Sequence, residues 1–166
     1  MGTIVVASDA PSVRATVAAA LGEPGTEIVE VRSGPDVAPA VDEHEPDLVV
    51  VDMQMGNMGA MAVCMDLRLE ASYDNLPAVA VLMLLDRRAD VFLARRCGAE
   101  GWLVKPLDSL RLRKAATALS EGGTYHDQTF QPVPSSLAPD LPLAPDAPAG
   151  GVAPAGTDTD ASSGGA

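Results

Sequence analysis

Three short apolar runs end in side chains that could act together on an oxygen-rich, negatively charged ligand. Ile4-Val5-Val6-Ala7 leads into Ser8 and Asp9, Leu48-Val49-Val50-Val51 into Asp52, and Trp102-Leu103-Val104 into Lys105 and Pro106. Two carboxylates with neighbouring carbonyl oxygens suit Mg²⁺, a hard cation that takes oxygen ligands and keeps several waters. An ammonium opposite them would hold an incoming phosphoryl group as a point charge. This chemistry works only if a fold brings the three run ends to one edge.

The pattern along residues 2–122 supplies such a fold. Short β-branched runs at 3–7, 27–31, 47–52, 79–84 and 101–104 alternate with helical patterns at 11–21, 35–44, 59–71, 87–97 and 107–120. The runs are nearly continuous in apolar residues, as strands are when helices cover both faces of a parallel sheet. Five such units predict a doubly wound α/β domain, a five-stranded parallel sheet of flavodoxin-like order 2-1-3-4-5. Ligands bind such sheets beyond the carboxyl ends of the strands, which is where Asp9, Asp52 and Lys105 fall. Pro11 suits a first helical turn, Gly22 and Gly98 suit C′ positions, and Asp86 can cap the fourth helix. Pro39 falls inside the second helical pattern and is expected to weaken or kink it.

Composition narrows the functional class. The chain has 166 residues and a net charge of −12, and all 11 Lys and Arg lie between Arg14 and Lys114. That balance lacks the basic stripe of a nucleic-acid-binding module, so direct DNA binding is not expected. No run approaches the roughly 18 apolar residues of a membrane span, and no secretory leader is recognisable. Cys64 and Cys97 lack metal-ligand or redox spacing and read as reduced core thiols of a cytoplasmic protein. Residues 123–166 read as a tail rich in Pro, Ala, Gly and Asp. From about residue 131 it holds half of the 14 prolines and no Lys, Arg or aromatic residue. Such a segment buries too little apolar surface to offset its ordering entropy, and disorder is expected, with no effector domain.

The three run ends resemble the receiver domain of bacterial two-component response regulators. Ile4-Val5-Val6-Ala7-Ser8-Asp9-Ala10-Pro11 is similar to the first-strand motif, an apolar run ending in two acids and a proline. Pro46-Asp47-Leu48-Val49-Val50-Val51-Asp52 looks like the third strand with its phospho-accepting aspartate. Gly98-Ala99-Glu100-Gly101-Trp102-Leu103-Val104-Lys105-Pro106-Leu107 is similar to the fifth-strand signature. The resemblance covers roughly residues 3–120. It implies that Asp52 accepts a phosphoryl group as an acyl phosphate, with Mg²⁺ on Asp9, Asp52 and the backbone carbonyl of Gln54. It implies that Lys105 contacts the phosphate and that the Lys105-Pro106 bond is cis. The phosphoryl group would come from a histidine kinase or another phosphodonor. Output would pass by protein contact to an effector on the face of the fourth helix, fifth strand and fifth helix (α4–β5–α5), where Arg87, Arg88, Arg95, Arg96, Arg111 and Arg113 cluster.

The departures from the family pattern are specific. Ser8 stands where the first of two acids belongs, which removes one negative charge from the metal site. No Ser or Thr follows the fourth strand at Leu84 or Leu85. Gly56-Asn57-Met58-Gly59-Ala60 replaces the usual Pro-Gly and Asp-Gly loop, and Trp102 replaces a rotating Tyr or Phe. These leave open a pseudo-receiver, a binding module independent of phosphorylation. An enzyme is not expected: a dehalogenase-type phosphatase needs an acid where Gln54 stands, and Ser8-Asp9-Ala10-Pro11 is no flavin phosphate loop. Met53, Met55, Met58, Met61 and Met65 read as core filler. Neither His44 nor His126 has a partner that suggests catalysis or metal binding.

Overall fold

A computed structural model describes residues 2–129. Its elements are β1 (Thr3–Ala7), α1 (Pro11–Leu21), β2 (Glu27–Val31), α2 (Val37–His44), β3 (Leu48–Asp52), α3 (Ala60–Ser72), β4 (Ala80–Leu85), α4 (Val91–Arg96), β5 (Gly101–Val104), α5 (Ser109–Ser120) and β6 (Tyr125–His126). All the strand pairs are parallel, in the order β2-β1-β3-β4-β5-β6. The α/β class and the 2-1-3-4-5 order are as the sequence predicts.

Alternation along the strands sorts the core into two layers. Val5, Val49, Val51, Val81, Met83 and Trp102 pack with residues of α2, α3 and α4 on one face. Ile4, Val6, Val50, Leu82, Leu84 and Leu103 pack with α1 and α5 on the other. β3 is buried along its whole length, because it lies between β1 and β4 and under helices on both sides. Burying one such Val or Leu side chain contributes about 1.5–3 kcal/mol, and this apolar middle fixes the sheet end on which Asp52 emerges.

Several local expectations change. α2 is preceded by a 3₁₀ turn, Gly34–Asp36, so Pro39 is the third residue of the α-helix. The first turn needs no intrahelical donor, and Pro39 therefore sits there without breaking the helix. α4 is shorter than its sequence pattern, because a 3₁₀ turn, Arg88–Asp90, takes up its start. Asp86 does not cap that segment; its carboxylate turns to Lys105 instead. Gly98 has the left-handed φ of 75° that ends a helix, whereas Gly22 has an ordinary φ of −71°. Of the five clustered methionines, Met65 is exposed while the others pack on the core.

The largest difference is at the C-terminal end. Residues 123–129, assigned to the tail by their composition, instead carry a sixth strand at the sheet edge, beyond the expected limit of residue 122. The rest of the proposed tail lies outside the described residues.

Candidate phosphoryl-transfer site

β3 delivers Asp52 to the carboxyl edge of the sheet with only 2% of its surface exposed. A carboxylate this buried must be paired, since an isolated buried charge is costly. Both of its oxygens are engaged. Oδ1 accepts from Lys105 Nζ at 2.7 Å and from the Gln54 backbone N–H at 3.3 Å. Oδ2 accepts from the Ser8 hydroxyl at 2.8 Å.

Lys105 reaches this position because its own N–H is tied to the Leu85 carbonyl, as the last rung of the β4–β5 pairing. The Lys105-Pro106 bond is cis, as the family resemblance implies. Nζ is shared: it also donates to Asp86 Oδ1 at 3.1 Å. Burial alone would depress the ammonium, but the hydrogen bonds to Asp52 and Asp86 outweigh it and hold the pKa above the usual lysine value. The other oxygen of Asp86 is buried without a hydrogen-bond partner.

Asp9 leaves β1 on the same edge, but it does not cap α1. Its Oδ2 accepts from the Gly56 N–H at 3.0 Å and pins the loop that follows Asp52. The N–H of Ala10, at the start of α1, is taken by Ser8 Oγ at 3.2 Å. Ser8 is completely buried, and its carbonyl accepts from Arg14 Nη1 at 2.7 Å. Arg14, itself 5% exposed, is held in turn by Glu30 of β2. Ser8 is therefore more than a missing acid: it donates to the carboxylate where a second acid would repel it.

The edge thus gathers Asp52, Lys105 and Ser8, with Asp9 one loop contact away. Sequence reasoning missed Asp86 as part of the group, and Arg14 as the support behind Ser8. The signal for Asp86 was its place at the end of β4, read as a helix cap. β4 ends in Leu84 and Leu85, both buried, and being leucines they offer no side-chain hydroxyl there. Among the described residues, no three His, Cys, Asp or Glu side chains stand together as a metal cage. The donors that are present still fit Mg²⁺, which is commonly held by one or two carboxylates and its own waters.

The six arginines of the expected docking face divide by role. Arg87, Arg88, Arg95 and Arg96 are exposed. Arg111 is committed to Asp127, and Arg113 donates to the Ala20 carbonyl. Among the described residues, no helix is long and apolar enough to cross a membrane.

Comparison with known proteins bears on the fold and the family. The sequence pattern of the response regulator receiver domain matches residues 4–117. The chain is 25% identical to protein PilH of Pseudomonas aeruginosa over 122 residues, 74% of this chain and all of PilH. It is 32% identical to the transcriptional regulatory protein PdtaR of Mycobacterium tuberculosis over 62% of this chain, and spans 49% of that longer protein. Among solved structures, the signal receiver domain of a histidine kinase from Syntrophus aciditrophicus is 27% identical, with a TM-score of 0.64, covering 74% of this chain and 92% of that one. The Vibrio cholerae chemotaxis protein CheY4 shares the fold at 23% identity and a TM-score of 0.63, over 72% of this chain and 98% of its own. With the strand order, the three strand-end residues and this match all in place, the chain belongs to the response regulator receiver domain family.

Proposed function

We propose that this receiver works in two-component signalling by taking a phosphoryl group on Asp52, and that it signals by protein contact through α4, β5 and α5. The observation that carries this reading is the Lys105–Asp52 pair at 2.7 Å on the sheet edge where ligands of such folds bind. One oxygen of Asp52 attacks the phosphorus of a phosphohistidine or small phosphodonor. The donor's bond to phosphorus breaks, its leaving group departs with the electron pair, and an acyl phosphate forms. Lys105 then faces a phosphoryl oxygen instead of a bare carboxylate. Asp9, Asp52 and the Gln54 carbonyl would hold Mg²⁺, which supplies positive charge to the transferring group. Ser8 holds the oxygen of Asp52 that faces it, and so selects which oxygen attacks.

Intact-mass measurement after incubation with a small phosphodonor and millimolar Mg²⁺ tests this. The expected result is slow formation of a phosphate adduct that borohydride traps and that is absent in Asp52→Asn. The reaction is expected to be slow, because a missing charge-assisted hydrogen bond is worth roughly 1.5–3 kcal/mol, or on the order of 10- to 100-fold in rate. A second reading, the phosphorylation-independent pseudo-receiver, is favoured by one observation: both oxygens of Asp52 already have partners, and none is a β4 hydroxyl. No adduct at saturating donor and Mg²⁺ would select that reading.

A further inference from the structure

The edge of β5 is covered by the chain itself. After α5 the backbone turns at Gly122, with φ 77°, and the residues beyond run parallel to β5. Tyr125 N–H donates to the Glu100 carbonyl at 3.1 Å, and Asp127 N–H to the Trp102 carbonyl at 3.2 Å. A two-residue strand holds weakly by backbone pairing alone, so side chains must supply the rest.

They do so at two points. The His126 ring stacks on Trp102, with centroids 3.9 Å apart and planes 10° from parallel. The Asp127 side chain is only 1% exposed, and its Oδ2 accepts from the Val104 N–H at 3.0 Å and from Arg111 Nη1 at 2.7 Å. Its Oδ1 is closed by the N–H and hydroxyl of Thr129. Burial alone would raise the Asp127 carboxyl, but its bonds to Thr129 and Val104 and the Arg111 charge prevail and hold it below the usual carboxylate value. Arg111 also donates to the Pro106 carbonyl. The clasp therefore grips the residues on both sides of Lys105, the side chain that reaches Asp52.

We propose that the β5 edge is a strand-acceptor site. Residues 124–129 are its detachable resident, and the partner it fits is an extended peptide presenting an aromatic or imidazole ring followed directly by an acid. Three features support this. The recognition elements are those of strand addition, in which main-chain bonds give affinity and side-chain pockets give specificity. Tyr125 packs on the core of the α1 and α5 face, while the ring stack and the carboxylate bonds supply the directional contacts that a competing segment must reproduce. The receiving cation, Arg111, lies in a chain of net charge −12, which marks the spot for an acidic ligand. This inference does not require that Asp52 be phosphorylated.

The chain has one tryptophan, Trp102, so its fluorescence reports the edge directly. The experiment uses the full chain, its Asp127→Ala and His126→Ala variants, and a labelled peptide with the sequence of residues 122–129. In the unaltered chain, Trp102 is expected to resist acrylamide quenching and the peptide to find the edge taken. In Asp127→Ala, quenching should rise severalfold. The peptide should bind and restore protection, while a peptide whose own acid is replaced by Ala should not. His126→Ala removes the stack and leaves the clasp, and it should bind the peptide more weakly than Asp127→Ala does. Folded variants whose Trp102 stays protected, or that expose it without binding the peptide, overturn the proposal. So does loss of the fold in both variants, which would make the segment an integral part of the sheet.

Discussion

Ser8 and Asp52 meet inside the protein: the serine hydroxyl donates at 2.8 Å to a carboxylate oxygen, and neither side chain is more than 2% exposed. The pair joins β1 to β3 beyond the last backbone rung between them. Ser8→Ala leaves Asp52 Oδ2 without its donor in a buried site. The expected cost is about 1–3 kcal/mol, read as a lower urea midpoint with an unchanged slope. An unchanged midpoint would mean that the hydroxyl contributes nothing to Asp52.

Lys105 gives a signature at alkaline pH. Its folded-state pKa lies above the ordinary 10.5, so folding favours the charged form. That contribution is fully present below the unfolded value and is lost as pH rises through the folded one. Urea unfolding from pH 8 to 12 should show stability falling above about pH 10.5, partly through this group. Lys105→Met should lack that share of the fall. At neutral pH it should be less stable by about 2–3 kcal/mol, under the 3–5 of a fully buried pair because Lys105 is 22% exposed.

Asp86 competes with Asp52 for one ammonium, and its second oxygen is buried without a partner. Asp86→Ala should release Lys105 to the carboxylate and to any phosphoryl group on it. If Asp52 is the acceptor, adduct formation should quicken by about three- to tenfold, equivalent to roughly 0.7–1.4 kcal/mol. A time course of intact mass gives the rate directly. A slower reaction would mean that Asp86 orients Lys105 instead of diverting it.

Gly98 isolates backbone strain from crowding. Its φ is 75°, yet an added Cβ would meet nothing within 4 Å. Gly98→Ala should therefore cost about 1–2 kcal/mol through the left-handed conformation alone. Gly101→Ala is the opposite case, since φ is unremarkable there and a Cβ would lie 3.0 Å from Leu119 Cδ1. Denaturant midpoints should fall in both, and Leu119→Ala should not rescue Gly101→Ala, because the added Cβ still meets Leu82 Cδ1 and the Tyr125 backbone carbonyl at 3.1 Å.

Much of this was legible from the sequence because burial on both faces writes itself as unbroken apolar runs. β1, β2, β5 and α1 have the bounds that those runs and Pro11 mark. What escaped depended on contacts between distant residues. Asp86 reads locally as a cap, and only the approach of Lys105 from β5 draws it into the site. Ser8 reads as a lost charge until its hydroxyl is seen directed at Asp52. Tyr125 and His126 carry no strand pattern of their own; they pair because Asp127, Arg111 and Trp102 hold them at an edge. Pro39 read as a weak point or kink because a 3₁₀ start to the segment leaves no periodic trace.

The strand order also decides which edges of the sheet stand open. β2 pairs with one side of β1, and every later strand lies on the other side in chain order, β3, β4, β5 and then β6. On that side a bare β5 would be the last strand, the kind of open edge that recruits neighbouring chains. The opposite edge is β2, where Glu27 and Glu30 place charges that discourage such pairing. The β5 edge has no comparable charge along Gly101-Trp102-Leu103-Val104. Residues 125–127 supply the cover instead, so the segment that closes the sheet also keeps its edge from a neighbouring chain.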